Sequence, residues 1–427
     1  LPKNNSNLKH LILNSLKRLK ETNILSNFLN LGSIQLSNVL LLILIYPIIT
    51  RIIGIEEFGY VMLANTFAGL AAIVINYGTN QSGIRDIATS IADNKKLSVV
   101  FYTTVWIRVL IFIVFLLLLI GLQWLNIRYY SFIILAVPIV IAEVINPLFF
   151  YNGTENLRLY NIANLIAKVL IILLVLLFIK GPQDSEWTNF IMGMVSTFVY
   201  SILIVFAAIK HKLSFRFPQQ NELYVIGKEN FYLTINNIYV HLQQSLMIFA
   251  IAKWGSPAWL GAYTLCDKVI WSSRILIISV SNAIYPKAAQ LYQEKTKLWS
   301  VYRLRMKKLI TMFFFLLSLV LFIFPEFIIF VLAGEQNETA VIFLRVMAIV
   351  PTIAALNCLN VLDLLIKNNI VYIFRIAVIL TILSTSLAYF LVQSGQYKWF
   401  GAYTIIVELG ALLMYEYVIK KSAKEYA

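Results

Sequence analysis

Asp267, Lys268 and Arg274 interrupt an otherwise apolar run over residues 258–285. Two cations and a carboxylate are suited to holding an anion, or to fixing one helix against another through an internal salt bridge. Tyr263, Asp267, Trp271, Arg274 and Ile278 recur at i, i+4, i+8, i+11 and i+15, so a helix would carry them on one face. At 1.5 Å per residue the charges fall roughly 14 to 24 Å from the start of the run, where snorkelling to an interface is strained. Such a face is nearly excluded from lipid and must look into a bundle or a wet cavity. Arg274 therefore needs an anionic partner. Asp267 is two turns away, about 10 Å along the axis, so a direct bond would strain both side chains. An anionic ligand is the better partner. Lys268 lies on the neighbouring face and can pair across to another helix.

Two carboxylates are similarly deep. Glu143 lies between Pro138 and Pro147, which should bend its span, and Glu408 lies in the last apolar run. Burial favours the neutral form of a carboxylic acid, so either position suits proton coupling, and either equally suits a structural pair with a buried Lys or Arg. Asn237, His241 and Gln244 follow i, i+4, i+7 and form another polar face near mid-membrane. His241 in that setting is more often a hydrogen-bonded core residue than a proton relay. Asn30, Gln35 and Asn38 add amides to the first apolar run, and Arg51 closes it. Arg108, Lys168 and Arg375 lie within about ten residues of the expected cytoplasmic ends of their spans, where long cations can snorkel. For Lys168 a ligand is an equal alternative. Arg345 is comparably shallow from the other side.

Histidines occur only at positions 10, 211 and 241 and cysteines only at 266 and 358, with no ligand spacing between them. No metal site, cofactor or disulfide framework is expected.

The elements that must position these groups are membrane helices. Apolar residues make up 60% of the 427-residue chain and charged residues 13%, about half the charge of an ordinary globular domain. The apolar residues come in runs long enough to span a bilayer as helices. Candidate spans are 28–50, 58–82, 100–122, 130–151, 159–180, 187–209, 229–252, 258–285, 309–333, 338–360, 369–392 and 399–419. The fold class is therefore all-α, with about twelve transmembrane helices. The net charge of +15 sits in loops between the runs, which argues for topology-setting charge and against nucleic-acid binding. One set of loops outweighs the other in Lys and Arg by about five to one, which places both termini in the cytoplasm. The longest loops, around 210–228 and 286–308, are basic and fall on that side. Residues 8–20 carry Leu and Ile at helical spacing opposite Lys and Arg, the pattern of an interfacial amphipathic helix or a plain basic tail. No cleaved signal peptide is expected, and the opening Leu1 suggests that a short leader has been trimmed.

The chain repeats itself at an offset of roughly 200 residues. Asn27-Phe28, Thr50-Arg51, Gly54 and Gly59-Tyr60 have counterparts in Asn230-Phe231, Ala252-Lys253, Gly255 and Gly261-Ala262-Tyr263. Each set ends a span in a cation followed by paired glycines, suited to a tight turn between antiparallel helices. Six spans fall in each half in the same orientation, so the repeat is parallel, about an axis along the membrane normal. The expected organisation is a basic segment 1–24, a six-helix bundle 25–210, a linker 211–228, a second six-helix bundle 229–419 and a tail 420–427.

A set of motifs runs along the first half: Gln35, Asn38 and Pro47; Arg51-Ile52-Ile53-Gly54; Glu57-Phe58-Gly59; Asn76-Tyr77-Gly78; and Arg85-Asp86-Ile87-Ala88. They resemble the Wzx-type O-antigen and polysaccharide flippases of the multidrug/oligosaccharidyl-lipid/polysaccharide exporter superfamily. Phe149-Phe150-Tyr151-Asn152-Gly153-Thr154-Glu155 and Gly261-Ala262-Tyr263 through Asp267-Lys268 to Tyr285-Pro286-Lys287 continue the resemblance, which runs from about residue 24 to the end. Cys266 departs from it, where a small residue is expected. The resemblance implies two six-helix bundles around a central cavity in the bacterial inner membrane. It implies transport of an undecaprenyl-pyrophosphate-linked oligosaccharide to the periplasmic leaflet by alternating access, in lipopolysaccharide or related polysaccharide biosynthesis. Implied partners are that lipid, bulk membrane lipids, a coupling proton or sodium ion, and the polysaccharide polymerase machinery.

With such a substrate, Arg274, Lys268, Arg51 and Lys168 become candidates for the pyrophosphate, whose oxygens accept bidentate bonds from Arg. Asp267, Trp271, Asn237, His241 and Gln244 become candidates for the sugars, and Glu143 and Glu408 for coupling. Two alternatives stay open. A cation-coupled multidrug exporter of the same superfamily would want acidic groups to dominate the cavity, whereas the deep groups lean cationic. A polytopic polymerase or glycosyltransferase, an enzyme rather than a transporter, would want a sizeable periplasmic loop or a carboxylate pair.

Overall fold

The computed structural model of the chain describes residues 44–123, 129–294, 296–367 and 369–425. The amphipathic segment 8–20, and the first span up to residue 43 with its Asn30, Gln35 and Asn38, lie outside the described residues. All extended regular structure within them is helical. The helices are α1 (Tyr46–Ile53), α2 (Ile55–Asn76), α3 (Thr79–Ser90), α4 (Asn94–Leu122), α5 (Tyr130–Leu135), α6 (Val137–Val144), α7 (Leu148–Gly153), α8 (Leu157–Phe178) and α9 (Trp187–Lys210). The second half follows as α10 (Gln220–Trp254), α11 (Pro257–Glu294), α12 (Thr296–Ile323), α13 (Pro325–Ala333), α14 (Glu338–Met347), α15 (Val350–Ile366), α16 (Ile370–Gln393) and α17 (Ala402–Glu425).

Among the described residues, nine helical stretches are long and apolar enough to cross a membrane. They coincide with the second to sixth and ninth to twelfth expected spans. The seventh and eighth expected spans fall in α10 and α11, which are 35 and 38 residues long but more polar. Their polarity is that of the two faces predicted above.

The bends have local causes. Prolines stand in the first turn of α6 and directly before α7, so the fourth span is broken into α5, α6 and α7. Tyr77 and Gly78 take left-handed conformations (φ 49° and 69°) and separate α2 from α3. The segment 286–308, expected as a loop, is instead largely helical, because α11 and α12 run on past the apolar core. Their extension is held by polar contacts: Asp363 on α15, almost fully buried, accepts from Trp299 Nε1 at 2.7 Å and pairs with Lys367 at 2.8 Å and Arg303 at 3.5 Å. The linker 211–228 likewise becomes α10 from Gln220 onward.

The helices up to α9 pack largely on one another, as do α10–α17, giving two bundles. The broadest contact joins the bundles: α2 lies along α11. Its tightest point is Gly59 against Gly261. A Cβ on Gly59 would stand 2.6 Å from the Gly261 nitrogen, and one on Gly261 would stand 2.1 Å from the Ile55 carbonyl oxygen. Both glycines are helical, so their role is close backbone approach and not the tight turn expected from the sequence. The turn conformation belongs to Gly54, at φ 83°. Gly59 and Gly261 are the counterparts named in the sequence repeat expected above.

Candidate functional site

Beyond the glycine crossing the bundles separate around a cavity of about 280 Å³. α2 supplies Asn65 and Thr66, α10 supplies His241, Gln244 and Ser245, and α11 supplies Asp267, Lys268 and Trp271. Asp267 is ten residues into α11, about 15 Å from its start, which is about half the thickness of a bilayer's hydrocarbon core. Two further spaces adjoin it. One, about 310 Å³, is lined by Asn76, Asn80, Gln81 and Glu143 from the first half and Asn237 and His241 from the second. The other, about 70 Å³, lies within the second bundle and is lined by Gln243, Gln244, Asp267, Arg274, Tyr403, Thr404 and Glu408. His241 borders the first two, and Gln244 and Asp267 border the first and third. The three spaces form a polar floor from Glu143 to Glu408.

Arg274 and Glu408 meet at 2.7 Å, with side chains 12% and 16% exposed. This corrects the expectation that Arg274 awaits either Asp267 or a ligand: its anion comes from α17, far along the chain from α11. Arg274 Nε still lacks a hydrogen-bond partner among the described residues. As the helical spacing required, Asp267 does not reach Arg274. The side chains of Asp267 and Lys268 make no direct hydrogen bond or ion pair with any described residue, and both border the cavity. Nearby, the Tyr403 hydroxyl donates to the Gln243 carbonyl at 2.5 Å, while the Gln243 amide donates to Ala377 O and Thr381 Oγ1, which fixes α10 against α16 and α17.

The first bundle carries a second cluster. Arg108 is fully buried and does not snorkel. Its guanidinium donates to Thr79 Oγ1 (2.8 Å), Asn80 Oδ1 (3.0 Å), and the carbonyls of Asn146 (2.9 Å) and Glu143 (3.2 Å), and lies 5.1 Å from the centre of the Phe149 ring. Four acceptors and a ring face replace the water it would otherwise seek. The Glu143 carboxylate accepts from Asn76 (2.5 Å) and Asn80 (3.3 Å) on one oxygen and from Asn146 (2.9 Å) on the other. Both oxygens are occupied by amide donors. The break at Tyr77-Gly78 turns Asn76 and Asn80 onto this carboxylate. The deep groups are thus not cationic overall: Arg108 is offset by Glu143, Arg274 by Glu408, and Lys268 stands beside Asp267.

A sequence model of the family described as "Polysaccharide biosynthesis protein" matches residues 24–292. The chain belongs to that family. Two curated proteins, each named "Putative O-antigen transporter", are similar to this member of the polysaccharide biosynthesis family. One, from Escherichia coli (strain K12), is 20% identical over 353 residues, covering 80% of this chain and 83% of its own. The other, from Shigella dysenteriae, is 23% identical over 293 residues, covering 64% and 71%. A multidrug resistance MATE family transporter of the MOP superfamily, solved in an inward-facing conformation, aligns with a TM-score of 0.75 at 13% identity, over 91% of this chain and 96% of its own. An outward-facing conformation of a MATE family transporter gives 0.61 at 13% identity, over 92% and 94%. A MOP superfamily transporter from Pyrococcus furiosus gives 0.61 at 14%, over 91% of each chain. The fold is that of the MOP superfamily, and the family expectation drawn from the motifs stands.

Within this member of the polysaccharide biosynthesis family, the cavities gather Asn237, His241, Gln244, Asp267, Lys268, Trp271, Arg274, Glu143 and Glu408 from the sequence candidates. Arg51 and Lys168 border none of the three. Arg51 donates to the Val331 carbonyl at 2.5 Å, tying α1 to α13 at an exposed edge. Lys168 sits half-buried on α8, which packs on α7 and α9, away from the seam between bundles. Depth put Lys168 among the candidates and its charge in a family-like motif put Arg51 there, and neither says which way a helix faces. Sequence reasoning missed Asn65, Asn76 and Asn80 as lining residues; the Asn76-Tyr77-Gly78 motif was the available signal for the latter two. It also read Arg108 as interfacial, because two of its four acceptors are backbone carbonyls and the other two lie on a different helix, so no local side-chain pattern announces them.

Proposed function

We propose that this protein is a polysaccharide-precursor transporter that moves an undecaprenyl-pyrophosphate-linked oligosaccharide from the cytoplasmic to the periplasmic leaflet by alternating access. The observation that carries this proposal is the cavity between the two bundles with the small space that adjoins it. The cavity offers a cation without a direct partner among the described residues (Lys268), amides (Asn65, Gln244) and an aromatic plate (Trp271), and the adjoining space a partly satisfied guanidinium (Arg274). A sugar pyrophosphate needs those partners: charge-assisted donors for phosphate oxygens, amides for hydroxyls and a ring face to stack on. The family match and the relatives named for O-antigen transport support the same substrate class. The end closed by Gly59 and Gly261 is taken as periplasmic, and the prenyl chain stays in the bilayer between helices.

A leaflet-translocation measurement on purified protein in liposomes, using defined lipid-linked oligosaccharides, tests this proposal. Transfer of the lipid across the bilayer is expected, dependent on the protein and on an intact Lys268. Failure to move any lipid-linked sugar, with export of small organic cations instead, would return the protein to the drug-exporter alternative.

A further inference from the structure

The charges around Arg274 balance. Arg274 and Lys268 supply two cations, Asp267 and Glu408 two carboxylates, and the sum is zero. A pyrophosphate esterified to a lipid and a sugar brings one negative charge on each phosphate. If it enters this space unaccompanied, those charges have no counter-ions at mid-membrane, where uncompensated charge is costly. The carboxylates are the groups that can remove the excess, by taking up protons.

Glu408 and Asp267 are fitted for this and Glu143 is not. The Glu408 carboxylate has one direct partner, Arg274, at 2.7 Å, and Asp267 has none among the described residues. Glu143 keeps three amide donors on its two oxygens and the buried Arg108 beside it. Every element around Glu408 is accounted for. α11 brings Asp267 and Arg274; α10 brings Val240, Gln243 and Gln244; α16 brings Leu380; its own helix brings Tyr403 and, two turns on, Tyr415. The ionisable groups of the packed α14, α15 and α16 are Glu338, exposed; Arg345, paired with Glu326; Cys358, buried against the Ile277 carbonyl; Asp363, already paired with Lys367 and Arg303; Tyr372; and Arg375 and Tyr389, both exposed. His241 borders the cavity on the other side.

Resting on the proposed lipid-pyrophosphate substrate, we propose that Glu408 is an internal stand-in for the substrate's anion. It holds Arg274 while the cavity is empty; the pyrophosphate takes its place on the guanidinium; and the released Glu408, with Asp267, takes up protons. The proton site and the anion site are then the same ion pair, and exchange at Arg274 links substrate binding to proton binding.

Calorimetric titration of the purified full chain tests this. The probe is a short-chain prenyl pyrophosphate esterified to one hexose, titrated between pH 6 and 8 in pairs of buffers with different ionisation enthalpies, which count protons taken up per ligand bound. The native protein should take up about one proton or more and bind more weakly as pH rises. Glu408→Gln should lower the uptake by about half a proton or more and, with the charged competitor gone, bind about tenfold tighter at pH 8. Asp267→Asn should also lower the uptake, and it provides a reading should Glu408→Gln fail to fold. Binding without proton uptake, or uptake unchanged in these variants and lost in His241→Gln, overturns the proposal and leaves the substrate intact. No binding by the native protein removes the lipid-pyrophosphate substrate itself.

Discussion

Replacing Gly261 with alanine should open the closed end of the molecule. The added methyl would stand 2.1 Å from the Ile55 carbonyl oxygen and 2.7 Å from its carbonyl carbon, against 3.4 Å or more in ordinary contact. The obstacle is backbone in the middle of a helix crossing, so no rotamer change relieves it. α2 and α11 must part by more than an ångström over their tightest contact. Overpacking of this kind costs about 1–3 kcal/mol, which shifts an equilibrium between closed and parted arrangements by roughly 5- to 150-fold. Gly59→Ala meets the Gly261 backbone at 2.6 Å and should act in the same direction. Spin labels at Glu56 and Lys253, both exposed near the crossing, report the separation by electron–electron resonance. One short distance is expected in the native protein and a longer, broader one in Gly261→Ala, with a lower melting temperature in detergent. An unchanged distance distribution and melting temperature would refute the tight crossing.

Arg108→Ala should destabilise the first bundle by about 3 kcal/mol or more, since it strands Glu143 and several buried acceptors. Arg108→Lys should not restore the loss, because one ammonium cannot serve four acceptors; membrane abundance and melting temperature measure both. Arg274→Ala should lower abundance by leaving Glu408 alone, at about 2.5–3.5 kcal/mol on lenient insertion scales. Adding Glu408→Gln should restore abundance but not transport; recovery of transport in the double variant would remove Arg274 from substrate handling. A single cysteine replacing Ser394 should label from the periplasm and one replacing Asn5 should not, and equal labelling of both would break the even-span topology.

The nine apolar spans among the described residues were legible because runs of apolar residues leave few alternatives to a bilayer. The polar faces of α10 and α11 were legible too, because helical spacing alone puts Asn237, His241 and Gln244, or Asp267 and Arg274, on one side. What those faces meet was not. The partner of Arg274 lies on α17, and no local pattern connects position 274 with 408. Arg108 was misread for a related reason: its acceptors are two side chains on α3 and two backbone carbonyls before Pro147, which leave no trace in the spacing of α4. Gly59 and Gly261 were noticed as repeat counterparts but assigned to turns, since a sequence shows that a glycine is small without showing what comes close.

The polarity of α10 and α11 also bears on how the protein is made. A helix leaving the translocon is sorted on its own hydrophobicity, and each Asp, Lys or Arg near its centre counts against it by about 2.5–3.5 kcal/mol. With Asp267, Lys268 and Arg274 in one segment, α11 is poorly placed to partition into lipid unaided. Its best-matched host surface is α2, synthesised some two hundred residues earlier and offering a glycine where α11 has one. The second bundle should therefore integrate against a first bundle already in place, so that the residues forming the cavity also set the order of assembly.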